Sequence, residues 1–162
     1  MKQNSLPEPG QQYVDQLGLV WESQGLSRIA GRIVGLLTLN EQPLSLDDIA
    51  GALNVSKGSV SQDARSLTAL GLVARVPSTK PGDRRDFYAI APDLPAALIN
   101  RRIGEIERLQ VALQAAADHE GMAPTVRERV RRFQHFQRTV ITVLRDLSTQ
   151  LAADPTFKST TP

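Results

Sequence analysis

Residues 45–90 constrain this chain more than any other stretch, because helix, turn and strand signals follow one another there without a gap. Ser45, with Asp48 three residues on, has the pattern of a capping box, and Leu46, Ile49, Ala50 and Leu53 give the helix it opens an apolar side. Asn54-Val55 makes a tight connection, and Ser56 is placed to cap a second helix from Lys57 to about Leu70. Val60, Ala64, Leu67 and Gly71 recur at helical spacing and mark its inward stripe. Gly71 stops that helix, Leu72–Val76 reads as a strand, and Phe87–Ile90 as the strand that returns from a polar, basic tip spanning Pro77–Asp86. Helix, turn, helix and hairpin in this order specify a winged helix-turn-helix. The fold class is therefore mainly α with a small β-hairpin wing, followed by long helices.

The face of the second helix opposite its stripe carries Lys57, Ser61, Gln62 and Arg65. Short or basic hydrogen-bonding groups at a helix N-terminal half suit entry into a major groove. Gln62 can pair with adenine through two hydrogen bonds, and Arg65 reaches guanine or, lying further along the helix, phosphate. Ser56 and Ser59, beside the free amides of the helix start, are candidate phosphate anchors. In the wing, Pro81-Gly82 sets a turn and Lys80 is a candidate phosphate contact. Arg84 is expected to pair with a neighbouring aspartate and shape the loop, leaving Arg85 as the contact. The same residue types make up an ordinary solvated helix face, so the pattern alone leaves open a winged helix that binds protein and never reads DNA.

Several blocks narrow that choice. Ile29–Leu37 (IAGRIVGLL), Leu46-x-x-Ile49-Ala50, Val55–Ser61 (VSKGSVS), Leu67-x-x-Leu70-Gly71-Leu72-Val73 and Pro81-Gly82-Asp83-Arg84-Arg85-x-x-Tyr88, in that order within residues 12–90, resemble the GbsR-type transcriptional regulators, a branch of the MarR superfamily. The second half resembles the family only in its helical pattern. One departure is Ser27, where the family usually has a proline before Arg28-x-x-Gly31-Arg32; serine there can cap the helix whose first turn a proline would occupy. The resemblance implies a homodimeric regulator, in most cases a repressor, that occupies a palindromic site on double-stranded DNA. It also implies a small-molecule effector, a compatible-solute precursor such as choline. A quaternary ammonium wants an aromatic cage, and Tyr13, Trp21, Phe87, Tyr88, Phe133, Phe136 and Phe157 are too scattered in sequence to assemble one.

Composition excludes more than it suggests. The 162 residues contain no cysteine, which removes disulfides, thiolate nucleophiles and cysteine metal sites and fits a reducing cytoplasm. His119 and His135 lie on separate segments without metal spacing, no glycine loop of the nucleotide-binding kind is present, and no cofactor or enzymatic activity is indicated. There is no basic-then-apolar leader and no membrane-length apolar run, so a cytoplasmic, nucleoid-associated location is expected. The net charge of +2 is mild for a nucleic-acid binder. Placement of charge, not its sum, carries the reading.

The flanks complete the architecture. Residues 1–11 are expected to form a flexible arm, 12–91 the winged domain with its N-terminal helices, 92–151 a helical dimerisation region and 152–162 a flexible tail. Tyr13, Leu17, Val20 and Trp21 form a stripe on the first helix. Ser27 to about Leu39 forms the next, where Gly31 and Gly35 permit close approach of another helix, since each costs about 1 kcal/mol relative to alanine unless packing compensates. Arg28 and Arg32 on that helix are candidate phosphate contacts or intramolecular partners. Leu94–Ala117 reads as a long helix. Thr125 with Glu128 repeats the capping-box pattern and opens a last helix to about Leu151, with Val126, Val130, Phe133, Gln137, Val140, Leu144, Leu147 and Leu151 as its stripe. Two such helices have more apolar surface than the winged domain can cover, which argues for a second copy as partner. Tyr13, Leu17, Trp21, Val130, Phe133, Val140, Leu144, Leu147 and Leu151 are the residues expected at that interface.

Overall fold

The computed structural model of the chain describes residues 6–78, 83, 85–119 and 121–154. They fall into two compact units, Met1–Leu94 and Pro95–Pro162.

The first unit begins with α1 (Glu8–Ser23), α2 (Arg28–Thr38), the short strand β1 (Leu44–Ser45) and α3 (Leu46–Leu53), and continues through α4 (Lys57–Ala69), β2 (Val73–Val76) and β3 (Phe87–Ile90). α1 starts at Glu8, inside the stretch expected to be a flexible arm. Pro7 holds the extended conformation that precedes a helix and Pro9 sits in the first turn, where a missing N–H costs nothing, so the two prolines start the helix and do not prevent it. Its buried row is Val14, Gly18 and Trp21, whereas Tyr13 and Val20 of the expected stripe are exposed. The cause is a glycine the sequence pattern did not weigh: Gly18 turns toward α2, where Gly31 faces it while Gly35 faces Val14 one turn earlier.

Glycine makes the α1–α2 contact possible. A Cβ added at Gly31 would lie 2.7 Å from the Leu17 carbonyl oxygen, and one at Gly35 would lie 3.1 Å from the Val14 Cα. Such close backbone approach is the packing gain that offsets glycine's poor helix propensity. Ser27 caps α2 as expected, its Oγ accepting from the amides of Ile29 (3.2 Å) and Ala30 (3.4 Å). The capping box of α3 is also present: Ser45 Oγ accepts from the Asp48 amide at 3.2 Å, and Asp48 Oδ2 accepts from the Ser45 amide at 3.1 Å.

The ends of α1, α3 and α4 share one device. Leu26 N–H donates to Trp21 O and Gly25 N–H to Glu22 O; Leu72 to Leu67 and Gly71 to Thr68 repeat the pattern, and Val55 to Ala50 with Asn54 to Gly51 gives it again. The pivots Gly25, Gly71 and Asn54 have φ of 77°, 70° and 52°, the left-handed conformation that these residue types tolerate best. Asn54 thereby makes the sharp turn between α3 and α4.

The strands form a sheet of order β1-β3-β2, antiparallel throughout, pairing Leu44 with Tyr88 and Arg75 with Tyr88 on the two sides of β3. β1 was not legible as a strand, being two residues long and lacking any alternation. Val14, Ile33, Ile49, Leu53, Val60, Leu67, Leu72 and Val73 are fully buried and make one core beneath α4 and the sheet.

The second unit consists of α5 (Leu94–Ala117), with the bounds read from the sequence, and α6 (Pro124–Ala153). The two helices run antiparallel. Gln134 Nε2 donates to Gln114 Oε1 at 3.0 Å, and Arg145 reaches Glu107 at 2.7 Å. Arg127 turns back on the end of α5, its Nε donating to the Ala117 carbonyl at 3.1 Å, which satisfies an orphan acceptor at a helix C-terminus. The expected cap at Thr125 is absent. Ala123 occupies the cap position without a side-chain bond and Pro124 opens the helix, because proline's fixed φ favours the first helical position and its ring forces the residue before it to be extended. The buried row of α6 is Gln134, Gln137 and Ile141: Gln137 belongs to the expected stripe, whereas Gln134 and Ile141 stand one position beyond its Phe133 and Val140, and the helix continues two residues past Leu151.

Candidate nucleic-acid interface

α4 is amphipathic in the way its sequence demands. Val60, Ala64 and Leu67 are 0, 0 and 1% exposed, while Lys57, Gln62 and Arg65 are exposed and Ser61 is half-buried. Ser56 caps the helix by accepting from the Ser59 amide at 3.1 Å, and its hydroxyl lies 2.8 Å from the Ser59 hydroxyl. Two hydroxyls and the free amides of the first turn therefore converge at one helix start, an arrangement suited to a phosphate oxygen.

The cations of this face are held, not loose. Lys57 Nζ sits 2.8 Å from Asp47 Oδ1 and 3.0 Å from its Oδ2, bridging the first turns of α3 and α4. Arg65 Nε folds back to donate to the Ser61 carbonyl at 3.2 Å, leaving the rest of its guanidinium at the surface. Ser27 Oγ donates to Asp63 Oδ2 at 2.9 Å, tying the cap of α2 to the middle of α4.

In the wing, Arg85, expected as the contact, is locked to an aspartate: its Nη2 donates to Asp83 Oδ2 at 2.6 Å, its Nε to Asp83 Oδ1 at 3.0 Å, and its backbone amide to the same Oδ1 at 3.0 Å. Its guanidinium carbon also lies 5.4 Å from the Phe87 ring centroid. The hydrogen bonds that Arg85 donates to Asp83, and then the charge of Asp83, raise the Arg85 pKa above its ordinary value, with smaller contributions from the charges of Asp48 and Asp47, so the guanidinium stays protonated. Asp86 pairs with Arg75 of β2. Lys80 and Arg84 lie outside the described residues.

Of the two α2 arginines, Arg28 is exposed and Arg32 is committed inward. Arg32 Nε is 2.9 Å from Asp15 Oδ1 on α1, an ion pair too bent to be a hydrogen bond, which leaves this buried N–H without an acceptor. Its stem covers Gly18. Sequence reasoning missed Asp47 and Asp63 as residues that fix this surface, because nothing in their spacing distinguishes them from solvated carboxylates.

Among the residues expected at a subunit interface, Trp21 is 6% exposed and so already buried within the single chain, and Leu17, Val130, Val140, Leu144 and Leu151 are half-buried. Tyr13, Phe133 and Leu147 are exposed, as are Phe136 and Val143 on α6. No helix among the described residues is long and apolar enough to cross a membrane, and no group of three or more His, Cys, Asp or Glu residues among them could hold a metal ion.

A helix-turn-helix with a wing and a polar, cation-bearing second helix defines a winged helix-turn-helix DNA-binding transcriptional regulator. Comparison with known proteins agrees. A model of the MarR family matches residues 24–86. The HTH-type transcriptional regulator MmpR5 of Mycobacterium tuberculosis (strain ATCC 25618 / H37Rv) is 34% identical over 119 residues, 73% of this chain and 71% of that protein. The HTH-type transcriptional repressor OpcR of Bacillus subtilis (strain 168) is 28% identical over 69 residues, 43% of this chain and 36% of its own length. A crystal structure described as a transcriptional regulator superposes with a TM-score of 0.76 at 28% identity, over 90% of this chain and 99% of that one. The chain belongs to the MarR family.

Proposed function

We propose that this chain is a homodimeric, sequence-specific repressor of the GbsR type, acting on cytoplasmic DNA by occupying a palindromic operator. The observation that carries the reading is α4, where a completely buried stripe fixes the helix and turns Lys57, Ser61, Gln62 and Arg65 outward beside the Ser56–Ser59 helix start. Gln62 and Arg65 read base edges, and Ser56, Ser59 and Lys57 position the helix on phosphates. Arg85, with Lys80 and Arg84 of the same loop, reaches the flanking minor groove or its phosphates. Arg28 at the start of α2 is a further phosphate contact, whereas the inward ion pair of Arg32 assigns it to packing.

Dimer formation is supported by Phe133 and Phe136, 44% and 59% exposed, with Val143 and Leu147 further along α6 and Tyr13, Leu19 and Val20 on α1. Apolar side chains at this density on one helix need cover. A two-fold pair sets two recognition helices about 34 Å apart, on successive turns of one duplex face. OpcR's description as a repressor supports the sign of regulation. A small-molecule effector belongs to this reading through the family resemblance. Its site is not an aromatic cage around Phe133 and Phe136, whose rings are stacked with centroids 6.2 Å apart.

Fluorescence-polarisation titration of random duplex DNA at two salt concentrations tests the proposal. Micromolar binding that collapses as salt rises is expected. Absence of binding at low salt would instead favour a winged helix that binds protein.

A further inference from the structure

The Ser27 hydroxyl is fully used. It accepts from the amides of Ile29 and Ala30, capping α2, and donates its own proton to Asp63 Oδ2 at 2.9 Å, thirty-six residues away on α4. Asp63 directly follows Gln62 on the candidate recognition helix, and its half-buried carboxylate turns toward the start of α2. That end of α2 is the positive pole of the helix dipole, so the carboxylate has both a hydrogen-bond donor, the Ser27 hydroxyl, and a favourable field. α2 itself is anchored by its glycine contacts with α1, where no side chain separates the backbones. A polar link thus runs from the α1–α2 pair to the helix that carries Gln62 and Arg65.

We infer that Ser27 and Asp63 are positioning residues for sequence readout: their hydrogen bond fixes the rotation of α4, and with it the aim of Gln62 and Arg65. Base-edge hydrogen bonds tolerate little angular error, whereas phosphate contacts through long, mobile cations tolerate a good deal. Loosening the link should therefore weaken binding to the chosen sequence and spare binding to arbitrary duplex. The inference rests on α4 being the DNA-reading helix.

The test is a double-mutant cycle with S27A, D63A and the pair, measured on a duplex selected by the wild-type protein from a random pool and on random duplex. Asp63→Ala leaves the cap intact, and melting temperature monitors the fold. The expected result is that D63A weakens binding to the selected duplex roughly tenfold with random-duplex affinity and salt slope unchanged. The double variant should be no worse than the poorer single one, and S27T, which keeps both cap and donor, should retain wild-type selectivity. Two outcomes overturn the inference: equal losses on both duplexes, or a D63A loss that adds fully to that of S27A and alters preference at one base pair, which would make Asp63 a direct contact. If the wild-type protein binds neither duplex, it is the DNA-reading assignment of α4 that fails.

Discussion

Gly31 of α2 lies so close to Leu17 of α1 that a methyl group there would meet the Leu17 carbonyl oxygen at 2.7 Å. Helix backbone stands on the far side, and backbone cannot swing away as a flexible side chain would. Gly31→Ala should therefore destabilise the fold by about 2 kcal/mol or more, despite alanine's better helix propensity. Gly51, on the exposed side of α3 with nothing within 4 Å of an added Cβ, is the control. Gly51→Ala should stabilise by up to about 1 kcal/mol. Denaturant titration of both variants checks the pair of signs.

Asp47 occupies Lys57 at the start of the recognition helix. Both groups are more than half exposed, so the pair adds little to stability. Its effect should appear in DNA binding, where the carboxylate opposes phosphate. Asp47→Asn is expected to tighten random-duplex binding about threefold at low salt and to steepen its salt dependence, with little change in melting temperature.

Arg85→Ala should weaken binding to selected and random duplexes alike and lower the salt slope by about one unit. The bidentate hold of Asp83 presents this guanidinium already ordered. An unchanged slope in polarisation titrations would remove the wing arginine from the interface.

Two caps with the same sequence pattern should respond differently. Ser45 is buried and bonded to Asp48 through both its amide and its hydroxyl, so Ser45→Ala should cost about 1–2 kcal/mol. Thr125 caps nothing, since α6 opens at Pro124. Thr125→Ala should leave the denaturation midpoint within about 0.5 kcal/mol of wild type.

Gln137 is buried with its Oε1 unsatisfied, beside Gln134, whose amide is bonded to Gln114. Replacing Gln137 by methionine removes an unpaired acceptor at similar volume and should be neutral or stabilising by about 1 kcal/mol. Gln134→Met breaks an existing bond and should be destabilising. Thermal melts of the two variants in parallel give the comparison.

The parts of the fold that were legible in sequence are those set by local chemistry. The caps at Ser27, Ser45 and Ser56, the stop at Gly71 and the α4 stripe all depend on neighbours within one or two turns. What escaped depends on distant partners. β1 exists because Leu44 and Ser45 find β3 some forty residues on, and α1 turns Val14 and Gly18 inward because Gly31 and Gly35 wait on α2. The α6 stripe was placed only in part: Gln137 is buried as expected, but Val126, Phe133 and Leu147 stay exposed while Gln134 and Ile141 complete the buried row, an order that apolar periodicity cannot anticipate. In the candidate site, the outward residues of α4 were read from periodicity alone. The carboxylates that hold Lys57 and Ser27 needed the tertiary structure, because the partner of an aspartate ten or more residues away is not encoded in its spacing.

The central claim, two copies of the chain presenting α4 to one duplex, is tested most directly by hydroxyl-radical footprinting on a duplex selected from a random pool. Two protected patches of equal strength, related by two-fold symmetry and centred about one helical turn apart, are the predicted result. A single protected patch, or two patches without symmetry, would contradict it.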